Sequence, residues 1–442
     1  MGFPKDFMWG VATSSYQIEG AVTQGGRGAT IWDTFSHTHG KTLNGDTGDV
    51  ACDHYNRYQE DVALMASLAV QSYRFSLAWS RILPQGTGKI NHEGLDFYDR
   101  LIDALLAHNI TPMVTLYHWD LPQTLQDAGG WVARDIVHAF VNYADVATRR
   151  LGDRVKLWTT HNEPWCISFL SHFVGEHAPG QRDMRSALAA AHHVMLSHGM
   201  ALEAIRANVG DAKAGITLNF THVDPADDRE EDIAAAHRLD GYFNRWFLDP
   251  IFKAQYPEDM WAFFGSLVPS VHEGDLEVIA RPMDYLGMNY YTRTLVGAGK
   301  EEPFFTRTVR ARAEHTAMDW EVYPQGMETL LVRIHETYSP PAIYITENGA
   351  AFDDAPDAEG NISDARRQAF LEAHFEAAER AIARGVPLKG YYVWSFLDNF
   401  EWAFGYERRF GIVYVDFKTQ KRTPKQSALW YRDWIEAQKA QA

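Results

Sequence analysis

Two glutamates of this chain each follow an apolar run, a position in which a charged side chain is unusual. The run from Ala342 to Gly349 is rich in β-branched and aromatic residues and carries Glu347 just before an Asn-Gly turn. The run from Val155 to Pro164 has the same design and carries Glu163. Such runs predict strands buried on both faces, where a charge is costly unless it is paired or used. A solvated acid at a strand end explains either glutamate alone, whereas the two together suggest paired acids that act on one bond.

The composition predicts an ordered globular protein and argues against several classes of partner. The chain has 442 residues, of which 46% are hydrophobic, so a large buried core is available. A net charge of −17 argues against nucleic acid and anionic membranes as partners, since both require a basic surface. Cys52 and Cys166 are its only cysteines, so neither a disulfide framework nor a four-cysteine zinc site is predicted. The amino terminus lacks a long apolar segment, and no run approaches the roughly 18 apolar residues of a membrane span. We therefore expect a cytoplasmic protein.

Eight apolar segments alternate with helical segments along the whole chain, with no linker between them. They cover residues 7–12, 70–76, 110–117, 155–163, 214–219, 284–291, 342–347 and 388–395. The alternation predicts parallel strands joined by helical crossovers. Eight such units favour a single-domain (β/α)8 TIM barrel over residues 1–442, and no G-x-G-x-x-G motif supports a dinucleotide-binding sheet. Residues 14–19 and 292–323 are predicted to be irregular.

The predicted strand ends collect side chains that suit a neutral, hydroxyl-rich ligand. In such a barrel the active groups lie at the carboxyl ends of the strands. The residues at or near these ends are Gln17, Arg74, His118, Asn162, Glu163, Asn289, Tyr291, Glu347 and Trp394, with Glu401 and Trp402 just beyond the eighth strand. Amides and imidazole bind hydroxyl groups, and aromatic rings stack on sugar faces. Arg74 lies inside a predicted strand and needs an acid partner, although a purely structural ion pair would also satisfy it. The histidines of the long helix (His192, His193 and His198) are expected to pack or face solvent, so no metal is predicted.

Seven blocks of the sequence resemble family 1 glycoside hydrolases, the β-glucosidase group. Asn162-Glu163-Pro164 resembles the acid/base motif of that family, and residues 345–349 resemble its nucleophile motif. The other five blocks cover residues 7–20, 73–76, 117–122, 286–291 and 409–411, in the family's order and over essentially the whole chain. One departure is His161, where the family more often has an apolar residue. We expect His161 to leave the reaction class unchanged but to be able to tune the pKa of Glu163.

The resemblance implies a retaining β-glucosidase that needs no metal or cofactor. Glu347 would attack the anomeric carbon, and Glu163 would first protonate the leaving oxygen and then activate water. Arg74 and Tyr291 would keep Glu347 ionised. The resemblance assigns Gln17, His118, Asn162, Glu401 and Trp402 to the sugar hydroxyls, Trp394 to a stacking floor and Trp320 to the leaving-group side. Asn289, Tyr291 and Phe410 are also expected to bind substrate.

The expected substrates are β-D-glucosyl units at non-reducing ends, as in cellobiose, cello-oligosaccharides and aryl glucosides, which suggests a role in cellulose degradation. One alternative is a 6-phospho-β-glycosidase, against which Glu401 argues because it would repel a phosphate. A second is a non-catalytic sugar-binding protein on the same barrel, against which both carboxylates argue. Plant thioglucosidases are also similar, but they usually carry Gln at the position of Glu163. Galactoside or fucoside preference and the oligomeric state stay open.

Overall fold

A closed ring of parallel strands organises the computed structural model, which describes residues 2–441. The strands are β1 (Met8–Ala12), β2 (Ser72–Ser76), β3 (Thr111–Tyr117), β4 (Leu157–Asn162), β5 (Lys213–Pro225), β6 (Tyr285–Ala298), β7 (Thr306–Thr308), β8 (Ile343–Asn348), β9 (Leu388–Trp394), β10 (Val413–Val415) and β11 (Arg422–Pro424). Strands β1 to β6 pair in sequence, β6 continues to β8 and β9, and β9 returns to β1. The predicted (β/α)8 barrel is therefore confirmed.

Helices connect these strands along the outside of the barrel. They are α1 (Ser15–Ile18), α2 (Ile31–Ser36), α3 (His54–Ser67), α4 (Trp79–Ile82), α5 (His92–Ala107), α6 (Gln123–Asp127), α7 (Ile136–Leu151), α8 (Met184–Asn208), α9 (Glu230–Asp240), α10 (Trp246–Lys253), α11 (Glu258–Phe264), α12 (Asp275–Ile279), α13 (Pro324–Tyr338), α14 (Ala365–Ala383) and α15 (Gln426–Gln441). Two short π-helices, Cys166–Val174 and Gly241–Arg245, complete the segments that follow β4 and α9. Within residues 2–441, none of these helices combines the length and the apolar character needed to cross a bilayer.

Strand alternation separates two cores, one outside the barrel and one inside it. In β2, Tyr73 and Phe75 face outward into the large shell between strands and helices, while Arg74 between them is also fully buried. A smaller apolar cluster fills the barrel interior and includes Met113, Tyr285 and Trp394. Because side chains of a strand point alternately to opposite faces, this arrangement brings a charged side chain into the barrel while its neighbours pack against helices.

Two stretches differ from the prediction because long-range pairing decides their structure. Residues 292–298 continue β6 and pair with the extended end of β5, and residues 306–308 form β7 beside β6, so an entirely irregular 292–323 segment is wrong. Ser15–Ile18 forms one helical turn instead of a loop. Glu19, the residue that follows this turn, accepts a 2.6 Å hydrogen bond from Arg81, and this contact holds the turn in place. No local periodicity of apolar residues marks either feature in the sequence.

Candidate active site

A pocket of about 520 Å³ lies at the carboxyl ends of the barrel strands. Nine of the predicted site residues line it: His118, Glu163, Tyr291, Trp320, Glu347, Trp394, Glu401, Trp402 and Phe410. The other four, Gln17, Arg74, Asn162 and Asn289, are almost fully buried directly behind this lining and hydrogen-bond to it. The pocket thus gathers all the predicted residues, some as its wall and some as the support of that wall.

Glu347, at the end of β8, has both carboxylate oxygens occupied by strong donors. Arg74 donates from Nη1 to Oε1 at 2.7 Å, and the hydroxyl of Tyr291 donates to Oε2 at 2.6 Å. Burial raises the pKa of Glu347, and the positive charge of Arg74 and the Tyr291 hydroxyl oppose that rise. A full positive charge in direct contact favours the ionised carboxylate, which is the form a nucleophile needs.

Glu163 follows β4 directly and has only neutral donors on its carboxylate. Asn289 donates from Nδ2 to Oε1 at 2.6 Å, and the thiol of Cys166 donates to Oε2 at 3.0 Å. Burial and the negative charge of Glu347 raise the pKa of Glu163 to about 7. A carboxyl group with that pKa can hold a proton near neutral pH and also release it, as a general acid/base must.

Irregular backbone at the end of β4 aims Asn162 and Glu163 into the site. The register of β4 against β5 shifts between Thr159 and Asn162, which indicates a β-bulge. Thr160 and His161 consequently both face α8, where they hydrogen-bond His198 and Ser197. Glu163 itself has φ = 54°, in the left-handed region that costs a non-glycine residue roughly 1–3 kcal/mol. Strain of this kind is often retained where function requires a particular side-chain direction.

His161 therefore has a different role from the one its position suggested. Its Nε2 lies 2.8 Å from the hydroxyl of Ser197, and its ring stacks on Phe140 with centroids 4.2 Å apart. Burial lowers its pKa well below the usual value, so the ring is neutral. Since it is uncharged and turned toward the helices, His161 does not tune the pKa of Glu163 through charge, and that expectation is wrong.

A fixed polar network joins the two glutamates through Arg74. Arg74 donates from Nη2 to Oδ1 of Asn162 at 2.7 Å, and Asn289 donates to the same oxygen at 3.1 Å. Because Oδ1 of Asn162 accepts both bonds, its Nδ2 is the donor to Nε2 of His118, 3.2 Å away. His118, which burial keeps neutral by lowering its pKa, then carries its proton on Nδ1. That Nδ1 is buried and has no hydrogen-bond partner among residues 2–441.

A second carboxyl group and several flat rings surround the inner end of the pocket. Gln17 donates to the backbone oxygen of Phe400 at 2.9 Å and to Oε2 of Glu401 at 3.4 Å. Burial and the charges of the two catalytic-site glutamates raise the pKa of Glu401 to about 8. The ring of His118 is nearly parallel to those of Trp394 and Trp402, at interplanar angles of 14° and 15°. Flat faces beside hydroxyl-binding groups suit a pyranose ring.

The outer part of the pocket is largely aromatic, and some of its residues were not among the predicted site residues. Trp320 packs against Tyr291 with ring centroids 5.3 Å apart. Trp165 and Phe243, whose centroids are 4.7 Å apart, form another part of the wall together with Leu170. Trp165 and Cys166 follow the Asn-Glu-Pro motif directly, a signal that the sequence did offer, whereas Phe243 lies on a distant π-helix with no local signal. Among residues 2–441, no three His, Cys, Asp or Glu side chains group as metal ligands.

Similarity to known proteins extends over nearly the whole chain. The family model described as Glycosyl hydrolase family 1 matches residues 1–440. Beta-glucosidase A of Thermotoga maritima is 49% identical over 435 residues, which are 98% of this chain and 97% of that protein. The 1,4-beta-D-glucan glucohydrolase of Thermotoga neapolitana is also 49% identical, over 98% of both chains. The structure of the Thermotoga maritima beta-glucosidase in complex with deoxynojirimycin has a TM-score of 0.97 at 48% identity and covers 99% of each chain.

Proposed function

Because the chain belongs to glycosyl hydrolase family 1, we propose that Glu347 is its nucleophile and Glu163 its general acid/base. The protein is a retaining β-glucosidase that releases terminal β-D-glucosyl residues. The observation that carries the two roles is the difference in their contacts. Glu347 touches the guanidinium of Arg74, whereas Glu163 touches only an amide and a thiol. The first environment favours a carboxylate, and the second tolerates a proton.

In the first step the Oε of Glu347 that faces the sugar forms a bond to the anomeric carbon. The bond between that carbon and the leaving oxygen breaks, and the leaving oxygen takes the proton of Glu163. Arg74 and Tyr291 hold the Glu347 carboxylate in place through both of its oxygens. Their hydrogen bonds oppose the rise in the pKa of Glu347 that burial causes, and so favour an ionised nucleophile.

In the second step Glu163, now a carboxylate, takes a proton from water while the water oxygen attacks the anomeric carbon. The bond to Glu347 breaks and the β-configured sugar is released. Retaining enzymes place the two carboxyl groups roughly 5–5.5 Å apart, which leaves no room for a water molecule between the nucleophile and the sugar.

The sugar is held at the inner end of the pocket. We assign hydroxyl recognition to the polar groups Gln17, His118, Asn162, Asn289, Glu401 and the indole of Trp402, and ring stacking to Trp394. Tyr291 has a double role, because it contacts Glu347 and lines the pocket. The position of His118 in the pocket wall, beside the rings of Trp394 and Trp402, supports its assignment to the ligand. Trp320 and Phe410 are assigned to the leaving-group side.

We further propose that cello-oligosaccharides and aryl β-glucosides are the substrates and that the enzyme contributes to cellulose degradation. The aromatic outer wall supports this, since sugar rings and phenyl groups both stack on Trp and Phe. Residues 1–442 would act as one catalytic domain. The barrel strands extend from β1 to β9, and α15 returns to the barrel, where Tyr431 donates to the backbone oxygen of Gly10 at 2.9 Å.

A substrate panel tests these assignments. We expect cellobiose, cellotriose and p-nitrophenyl β-glucoside to be hydrolysed, and p-nitrophenyl β-glucoside 6-phosphate to have a kcat/KM at least about tenfold lower than its unphosphorylated parent. The reason is that the Glu401 carboxyl at the inner end supplies no positive charge for a phosphate on O6 and repels that phosphate when it is ionised. An enzyme that prefers the 6-phosphate would overturn the assignment of Glu401, and one that hydrolyses aryl glucosides alone would overturn the proposed cellulose role.

A further inference from the structure

The thiol of Cys166 lies against the carboxylate of Glu163, close to the reacting bond. Cys166 begins the π-helix that follows β4, three residues after Glu163, and it is only 6% exposed. Its Sγ is 3.0 Å from Oε2 of Glu163. The backbone oxygen of Glu163 accepts from the backbone of Ile167 at 3.1 Å, which closes the first turn. This turn folds the thiol back onto the carboxylate that precedes it.

The two oxygens of Glu163 are not equivalent, and the thiol contacts the one that matters for proton transfer. The hydroxyl of Thr346 donates to Oδ1 of Asn289 at 2.7 Å, so the Nδ2 of Asn289 must be the group that faces Glu163. Nδ2 donates to Oε1 at 2.6 Å and thereby favours a proton on the other oxygen. The catalytic proton then belongs on Oε2, the oxygen beside Cys166.

Cys166 is suited to donate a hydrogen bond and unsuited to act as a nucleophile. Burial and the nearby carboxylates raise its pKa well above the usual value, so the thiol keeps its proton. A thiol is a weak donor that can rotate about its single bond. It can therefore support the carboxylate form of Glu163 and turn away when Oε2 becomes protonated.

We propose that Cys166 is a positioning residue whose S–H donates to Oε2 of Glu163 and so sets the upper pH limit of acid catalysis. This inference rests on the proposed acid/base role of Glu163. Donation to the ionised form favours that form, which places the loss of the general acid at a lower pH than burial alone would. The same bond holds the carboxylate in position for the second step, when it must accept a proton from water.

The other groups that act on Glu163 belong to fixed parts of the barrel. Those with charge or titratable protons are Glu347, Glu401, Arg74 and Tyr291. The carboxylate of Glu347 favours a proton on Glu163, Glu401 does so once it is ionised, and Arg74 opposes one. Because none of these four side chains hydrogen-bonds Cys166, a change at Cys166 alone reports on the thiol.

The test is the basic limb of the kcat/KM profile for phenyl β-glucoside, a substrate whose leaving group needs a proton. In Cys166→Ala and Cys166→Val the midpoint of this limb should rise by about half a pH unit or more, because the donor to the carboxylate is lost. In Cys166→Ser the midpoint should stay or fall, since the hydroxyl still donates. Cys52→Ala is the matched control: Cys52 is a buried thiol that donates to the backbone oxygen of Asp398 at 3.1 Å, and its loss should leave the limb in place.

Two comparisons separate this inference from a loss of packing and from the proposed function itself. With 2,4-dinitrophenyl β-glucoside, whose leaving group needs no proton, Cys166→Ala should leave the high-pH part of the profile unchanged. Equal shifts in the Ser and Ala variants, or no shift in Ala and Val, overturn the role of Cys166. If azide rescues Glu163→Ala while the Cys166 variants leave the limb in place, only this inference fails. If azide does not rescue Glu163→Ala, the acid/base assignment and this inference both fail.

Discussion

Glu163 and Glu347 occupy similar positions in the barrel, but the groups that contact them differ in charge. Glu347 ends β8 and is held by a guanidinium and a phenol at 2.7 and 2.6 Å. Glu163 follows β4 in a left-handed conformation and contacts an amide and a thiol. Both are buried, so desolvation raises the pKa of both. Only Glu347 has a positive charge in direct contact to offset that effect.

This contrast shows how one residue type performs two tasks a short distance apart. A nucleophile must stay ionised and immobile, and a counter-charge on one oxygen with a hydroxyl on the other achieves both. An acid/base must change protonation in every cycle, and neutral donors permit that change at little cost. Arg74 donates hydrogen bonds to both Glu347 and Asn162, and these bonds fix the two environments relative to each other. Variants that exchange or erase the difference should therefore have distinct kinetic signatures.

The largest effect is expected when the nucleophile is removed. Glu347→Gln keeps the side-chain volume and an oxygen for Arg74 but cannot form the glycosyl-enzyme bond. We expect kcat to fall on the order of 10⁴-fold or more for cellobiose and for 2,4-dinitrophenyl β-glucoside alike. Steady-state kinetics with thermal melting as the folding control measure this. Residual activity above a few per cent on the activated substrate would contradict the role.

Removal of the acid/base should cost less and should depend on the leaving group. In Glu163→Ala, kcat/KM for phenyl β-glucoside should fall roughly 10²–10⁴-fold, the usual contribution of general acid catalysis. The fall for 2,4-dinitrophenyl β-glucoside should be under about tenfold, because its leaving group needs no proton. Added azide should restore turnover of the activated substrate and give a β-glucosyl azide. Equal losses on both substrates would remove the distinction between the two glutamates.

A smaller effect is expected when one donor to the nucleophile is lost. Tyr291→Phe removes the hydroxyl that donates to Oε2 of Glu347. A hydrogen bond to a charged group is worth about 1.5–3 kcal/mol, so kcat/KM should fall roughly 10- to 100-fold. The bond favours the ionised form, so its loss raises the pKa of Glu347. The acid limb of the pH profile should therefore move to higher pH, while the basic limb stays. Movement of the basic limb alone would show that Tyr291 acts on a carboxyl group other than Glu347.

Local patterns made the barrel and the two glutamates predictable. The apolar runs that end in Glu163 and Glu347 have the length and residue types of buried parallel strands, and each strand end then follows from its run. The extension of β5 and β6 depends on pairing between residues such as His222 and Arg293, which lie far apart in the chain. The bulge in β4 turned His161 away from the site and could not be seen from residue types alone.

Contacts inside the site show the same division between local and long-range information. The sequence predicted an acid partner for Arg74 because a charge inside a buried strand requires one. That this partner is Glu347, that Asn162 carries the link to His118, and that Cys166 contacts Glu163 all depend on which strands the barrel sets side by side. Residue types alone do not encode these distances.

Covalent trapping tests the central difference between the two glutamates most directly. In 2,4-dinitrophenyl 2-deoxy-2-fluoro-β-glucoside, fluorine destabilises the oxocarbenium-like transition states of both steps, and the good leaving group offsets this only in the first. The glycosyl-enzyme should accumulate and inactivate the protein. Mass spectrometry of its peptides should then find one fluoroglucosyl group, on Glu347, in the peptide that contains residues 343–348. A label on Glu163 or on any other residue would contradict the assignment of nucleophile and acid/base.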